Sequence, residues 1–260
     1  MKVSAEVCPL CDGTGWKSVS QNGDRRVTRC DCRLKDRAKS LMKASRIPKR
    51  YEHCELSDFD TQFDGAHPSL GKALLSARRF VEDYPVDKTG LVLSGPIGTG
   101  KTHLAVGIIK ELIREKQIDC IFYEYRDLLK EIQSSYQPNE QASETGILRP
   151  VFQCELLVID EIGGMRSTEW VEEMVGYILN TRYNDQKTVI ITTNFENLPA
   201  APSLAAGEEV DMFRVRMAAR RHTLGDRIGD RMRSRLHEMC RFIKIEGPDV
   251  RQKFRSANFR

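Results

Sequence analysis

The sequence predicts an α/β protein built on a mainly parallel sheet flanked by helices. Three observations point there. Short apolar runs alternate with segments of helical periodicity. The runs are continuous rather than alternating, as strands covered on both faces require. A glycine-rich turn, "GPIGTGKT", joins one of these runs to the helix that follows it.

Residues 1–33 hold Cys, Gly and charge but few core-forming side chains, so they need a staple to fold. Leu34, Ala38, Leu41 and Ser45 mark one face of a basic helix. "RIPKRYEHCELSDFD" brings proline and aromatics without periodicity, which reads as a linker packed on its surroundings. A helix is predicted from Ser69 to Tyr84, stopped by Pro85. Then strands "LVLS", "CIFYEY", "ELLVID" and "TVIIT" alternate with helices carried by Leu104–Ile113, "RDLLKEIQSSY" and Trp170–Leu179. Asn197–Gly207, with Pro199 and Pro202, reads as a surface loop. Two basic helices, Glu209–His222 and Gly225–Cys240, precede a last strand "RFIKI". The expected division is 1–45 for a cysteine module and basic helix, 46–88 for a linker and packing helix, and 89–260 for the main domain.

At 260 residues the chain can bury a core and carry a small appended module. No apolar run approaches the roughly 20 residues of a membrane span, and Met1–Val7 has no signal-peptide core, so a cytoplasmic location is expected. In that compartment eight cysteines are thiols or metal ligands rather than disulfides. The net charge of +4 is unevenly spread: Arg25–Arg50 holds eleven Lys or Arg against Asp31 and Asp36.

Gly95, Pro96, Ile97, Gly98, Thr99, Gly100, Lys101 and Thr102 satisfy G-x-x-x-x-G-K-[ST], with His103 next in the helix. Such a loop turns backbone N–H groups toward phosphates at the positive end of a helix. Lys101 is expected to reach the β and γ phosphates of a nucleotide, and the Thr102 hydroxyl to ligate Mg2+. Asp160, ending the run "ELLVID", is placed to hold Mg2+ through its water shell, and Glu161 to polarise an attacking water. Asn194 after "TVIITT" either orients that water or is an ordinary turn asparagine.

Cys8, Cys11, Cys30 and Cys32 form C-x2-C-x18-C-x-C, which suits a tetrahedral Zn2+ site; a redox dithiol is the alternative. Cys54, Cys120, Cys154 and Cys240 read as small buried hydrophobes. Arg227, Arg231, Arg233, Arg235 and Arg241 form either a solvated helical face or a source for an arginine finger acting on a neighbouring subunit. Arg231 and Arg235 lie one turn apart, and spacing does not choose between them.

Together these segments resemble the AAA+ ATPases of the DnaC and IstB type, bacterial helicase loaders and transposition ATPases. The likeness covers about residues 45 to 250: "IPKRYEHCELSDFD" at the entry, "GLVLSGPIGTGKTHLA" as Walker A, "YRDLLKEIQSSY" after the second strand of the core, "ELLVIDEIGG" as Walker B, "TTN" as sensor 1 and "GDRMRSRLHEMCRFIKIEG" as the arginine-finger region. The resemblance implies a P-loop NTPase of AAA+ type, Mg2+-dependent ATP hydrolysis, self-association through the finger, and single-stranded DNA and a replicative DNA helicase as partners. It makes Arg235 the first finger candidate and Arg231 the second. Lys130 and Tyr136, before Walker B, become candidate DNA contacts, against the plainer reading of a solvated helix with a packing tyrosine. Two departures are visible. Many members pair two aspartates where this chain has Asp160 and Glu161, and the stretch from Asn197 with the helix after it is longer than the usual connection. The cysteine module is similar to zinc-binding amino-terminal domains of some loaders, which contact the helicase, and "CDGTGW" is similar to the cysteine repeats of DnaJ chaperones. The expected function is a helicase-loader-like ATPase in DNA replication. The alternatives are an IstB-like regulator delivering target DNA to a transposase, and a nucleotide-gated adaptor acting through its zinc module.

Overall fold

The computed structural model describes residues 8–21, 24–136, 144–166, 168–200 and 223–253. Its centre is a five-stranded sheet in which every pair is parallel. The strands are β3 (Gly90–Ser94), β4 (Cys120–Glu124), β5 (Leu156–Asp160), β6 (Thr188–Thr193) and β7 (Cys240–Lys244), in the order β4-β5-β6-β3-β7.

The continuous apolar runs have the physical cause expected of them. Successive side chains on a strand point to opposite faces, and here both faces are covered. Leu91 and Leu93 join one core with Leu156, Val158 and Ile190, beneath helices α2 (Ser69–Asp83) and α3 (Lys101–Glu111). Val92 joins the other with Leu157, Ile159, Val189 and Ile191. That second core lies under α4 (Tyr125–Ser134), α5 (Glu144–Gln153), α6 (Glu169–Asn184), α7 (Leu224–Ile228) and α8 (Asp230–Met239). A further short helix, α9 (Val250–Lys253), follows β7.

One of the buried charges lies away from the glycine-rich turn. Arg182 of α6 is fully buried, and its guanidinium donates to the carbonyls of Val151, Cys154, Glu155 and Thr188 at 2.6–3.2 Å. It ties the end of α5 to the starts of β5 and β6, with carbonyl dipoles rather than a carboxylate as its partners.

The amino-terminal segment is a two-stranded antiparallel hairpin, β1 (Trp16–Gln21) and β2 (Asp24–Arg29), leading into helix α1 (Asp31–Ala44). Ala38, Leu41 and Met42 of α1 pack on the first core, and the Phe122 N–H donates to the Ser45 carbonyl at 2.8 Å, so the helix ends against the sheet's β4 edge.

The structure differs from expectation in four places. Helix α1 starts at Asp31, before the apolar stripe begins at Leu34. Helix α5 carries Pro150, which hid it from the periodicity. The helix predicted over Gly225–Cys240 is two helices, because Gly229 takes φ 79° and breaks the ladder after a Thr223–Asp226 capping box. The polar hairpin was not predicted. The helix expected over Glu209–His222 and the part of the loop after Ala200 lie outside the described residues. Among the described residues no helix is long and apolar enough to cross a membrane.

Candidate nucleotide site and four-cysteine cluster

The glycine-rich turn leaves the carboxyl end of β3 and opens α3, at the edge of the sheet where parallel strands gather their C-termini. Gly100 is the helix N-cap in the left-handed region at φ 87°, a conformation that disfavours side chains. Gly95 is needed for space: a Cβ there would lie 1.8 Å from the Ile245 carbonyl oxygen. Lys101, buried, donates through Nζ to the carbonyls of Gly95 and Pro96 at 2.9 and 2.6 Å. Burial pulls its pKa down to about 8, against the raising influence of Asp160 and Glu161.

Asp160, at the end of β5, is buried beside it. Its Oδ1 accepts hydrogen bonds from the hydroxyls of Thr102 at 2.9 Å and Thr192 at 2.6 Å, while its buried Oδ2 has no protein partner. Burial raises the pKa of the carboxyl, and the two hydroxyls oppose that. An unpartnered carboxylate oxygen next to a threonine hydroxyl is a donor set that fits a hydrated divalent cation such as Mg2+. Glu161 follows with its backbone at φ 58°, left-handed, which costs a non-glycine residue about 1 kcal/mol or more. Its N–H donates to the Thr192 hydroxyl at 2.9 Å. Glu161 and Asn194 are both exposed and line one cleft of about 560 Å³ with Lys101, Thr102 and His103.

The cleft has walls that motif reading missed. Residues of the entry segment, among them Arg50, Tyr51 and His53, line one side, and Val250 and Arg251 another. The entry segment is clamped onto α3 and the helical turn Leu112–Lys116 that continues it: Arg114 donates two bonds to Glu55 at 2.7 and 2.8 Å, Lys110 pairs with Glu55 and donates to the Glu52 carbonyl, and the His103 ring bonds the Glu55 carbonyl at 2.7 Å. Arg50 pairs with Glu124 at 2.6 Å. On the carboxyl side the Val250 N–H donates to the Gly98 carbonyl at 3.0 Å, and the Asp249 carboxylate occupies the space a Cβ on Gly98 would need. The proline-broken linker and the chain's last strand gave no pattern from which this was legible.

The arginine run divides. Arg233 is partly buried and bonds Asn197 at 3.1 Å; Arg227 lies over the Phe195 ring and donates to the Met165 carbonyl; Arg241 pairs with Asp87. Arg235 lies over the Tyr183 ring at 5.9 Å, and Arg231 is exposed on the first turn of α8. Lys130 is exposed on α4, and Tyr136, just past its end, is half exposed.

The four predicted cysteines come together: the Sγ atoms of Cys8, Cys11, Cys30 and Cys32 all lie within 4.8 Å of one another. Cys8–Cys30 and Cys11–Cys32 are 3.8 and 3.5 Å apart, close to the roughly 3.8 Å edge of a tetrahedron with Zn–S bonds of about 2.3 Å. The Gly15 N–H donates to Cys11 Sγ at 3.3 Å, as cysteine knuckles do. For Cys11, burial raises the pKa, but the Gly15 N–H and the neighbouring thiols outweigh it and bring it to about 7. The donor set and spacing fit Zn2+. Cys54, Cys120, Cys154 and Cys240 are all buried in the two cores.

The IstB-like ATP binding protein family matches residues 27–199, two thirds of the chain, across the phosphate loop and the β5–β6 network. The chain belongs to that family. The IstB-like chain is 26% identical over 245 residues to YqaM of Bacillus subtilis (strain 168), covering 91% of this chain and 66% of that one. It is 26% identical over 172 residues to the replicative helicase loader DnaC of Escherichia coli (strain K12), covering 66% of this chain and 67% of that one. It thus spans about two thirds of the length of these curated relatives. Among solved structures, that of a DnaC helicase loader shares 31% identity and a TM-score of 0.59 over 76% of this chain and 99% of that one. The likeness extends to the DnaC/IstB-type AAA+ fold, with its P-loop and five-stranded parallel sheet.

Proposed function

We propose that this IstB-like chain is a Mg2+-dependent ATPase of the helicase-loader type, binding single-stranded DNA and a replicative DNA helicase and using the nucleotide state to hold or release them. The observation that carries the catalytic part is the buried Thr102–Asp160–Thr192 network, whose one free carboxylate oxygen sits beside the phosphate loop. The helicase part is supported by the likeness to DnaC loaders.

In this reading the Lys101 ammonium leaves the loop carbonyls for the β and γ phosphates of ATP. Asp160 and Thr102 would hold Mg2+, which offsets phosphate charge. Glu161 accepts a proton from the attacking water as the new P–O bond forms and the bond to the β–γ bridging oxygen breaks, releasing ADP and phosphate; Asn194 orients that water. Arg251, lining the cleft, adds positive charge. The finger is assigned to Arg231 rather than Arg235, because Arg231 is exposed while the Arg235 guanidinium rests on Tyr183. It would reach the γ-phosphate of an adjacent copy. Lys130 and Tyr136 are the proposed strand contacts of the core, and zinc holds the amino-terminal module.

ATP hydrolysis measured with and without single-stranded DNA, and with and without the host's replicative helicase, tests the reading. Stimulation by both supports it. A rate indifferent to helicase and raised by duplex DNA favours the transposition regulator, the second reading that the IstB-like match supports. A chain whose Glu161→Gln variant keeps its cellular function is instead a nucleotide-gated adaptor.

A further inference from the structure

The ATPase reading leaves the hairpin unused, although it holds an exposed positive surface. Every residue of β2 is exposed. Residues 16–44 carry nine Lys or Arg against three Asp. A zinc–tetrathiolate group, with a net charge of about −2, offsets only part of that excess. One ion pair is formed inside the segment, Lys17 with Asp31 at 2.7 Å, and among the described residues Arg25, Arg26, Arg29, Arg33, Lys35 and Lys39 have no acidic partner.

Register decides which of these groups act together. Residues directly opposite in an antiparallel pair share a face, so Trp16 with Arg29, Ser18 with Val27, and Ser20 with Arg25 form one side of the hairpin. That side presents an aromatic ring between flexible cations. Trp16 is 47% exposed; the Arg33 guanidinium, from the first turn of α1, lies over one face of its ring at 5.6 Å, so a base would stack on the opposite face. Arg25 and Arg29 stand four residues, about 13 Å, apart along the strand. Lys35, Lys39 and Lys43, at four-residue spacing, continue the positive charge along α1. A tryptophan face flanked by arginines offers what an unpaired nucleotide needs: a surface for the base and positive charge for the phosphates on either side.

We propose that this face of the hairpin is a docking surface for single-stranded nucleic acid, with Trp16 stacking a base and Arg25, Arg29 and Arg33 contacting phosphates. The site is separate from the ATP cleft and from Lys130 and Tyr136, and needs no hydrolysis.

The test uses the full-length, zinc-loaded chain without nucleotide, and fluorescence anisotropy of a labelled 20-nucleotide oligo(dT) against a 20-base-pair duplex at several salt concentrations. Replacing Arg25, Arg29 and Arg33 together by Gln should weaken oligo(dT) binding more than tenfold and lower the log–log salt slope by about 2, the value for three lost single-strand phosphate contacts. Trp16→Ala should cost about tenfold and Trp16→Phe much less. In a Trp170→Phe background, where Trp16 is the remaining tryptophan, oligo(dT) should quench its emission. Unchanged ATP affinity in each variant reports an intact core. Lys130→Gln, made in parallel, reports the core's own strand contacts, so that failure of the loader reading and failure of this one are separately visible. Unchanged oligo(dT) affinity and salt slope in the triple variant overturns the proposal. So does duplex binding as tight as single-strand binding with no quench, or loss of helicase binding in the triple variant while oligo(dT) binding persists.

Discussion

The ATP cleft and the cysteine hairpin place functional side chains by opposite means. Around the cleft, Asp160, Thr192 and Lys101 are buried, and two apolar cores fix the strands that carry them. In the hairpin, β2 buries nothing, and four thiols within 4.8 Å are the one centre around which it is organised. Burial fixes geometry at the expense of access, as the downward shift of Lys101 toward about 8 records. The hairpin leaves the cations of β2 in water, and with Zn2+ at its four thiols, as proposed, it would depend on one ion. A chain that must hold a nucleotide tightly and still offer a charged surface has use for both.

If the two regions are held independently, perturbations should separate them. Metal removal has the largest expected effect: structural zinc contributes about 10 kcal/mol or more to small modules, so chelation, or Cys8→Ser with Cys11→Ser, should abolish amide protection in β1 and β2 while ATP affinity stays the same. A parallel fall in ATP affinity would break the comparison. Next is Glu161→Gln, which should lower hydrolysis by about 10²–10⁴-fold, the usual range for a lost general base, with ATP binding and zinc content retained in filter-binding and metal assays. Arg182→Met should then destabilise the core by roughly 3 kcal/mol, because several buried carbonyls lose their donor; thermal unfolding would show a lower core transition and unaltered hairpin protection. The smallest effect concerns pH. In the proposed reading Lys101 binds phosphate as the cation, so raising the pH through about 8 would neutralise it. ATP affinity should fall about tenfold between about pH 7 and about pH 9, and Lys101→Arg should flatten that profile in a calorimetric titration.

The sheet was legible because its inner strands β5, β6 and β3 are buried on both faces, which leaves unbroken apolar runs such as Leu156–Ile159 in the sequence. The cleft's glycine-rich side was legible because a phosphate loop has a tightly constrained spacing, here from Gly95 to Thr102. Its remaining walls were not: Tyr51, His53 and Arg251 reach the cleft through tertiary clamps such as Glu55 with Arg114, and no local period marks them. The hairpin escaped notice because exposed strands need no apolar alternation. Arg182 stands one turn after Ile178 on the apolar face of α6, and an arginine there reads as a flank until its carbonyl partners are seen. Nor does spacing separate Arg231 from Arg235, since the difference between them is the Tyr183 ring from another helix.

The strand order has a consequence during synthesis. β3, which delivers the phosphate loop, pairs with β6 and β7, whose first residues follow its own by about 100 and 150 positions. As the chain leaves the ribosome at about 5–20 residues per second, the loop therefore waits many seconds without either neighbour. Its cleft still lacks a wall until Val250 and Arg251 have emerged. The complete cleft is thus a property of the chain through Arg251: a nascent chain already carries the glycine-rich turn but lacks that wall.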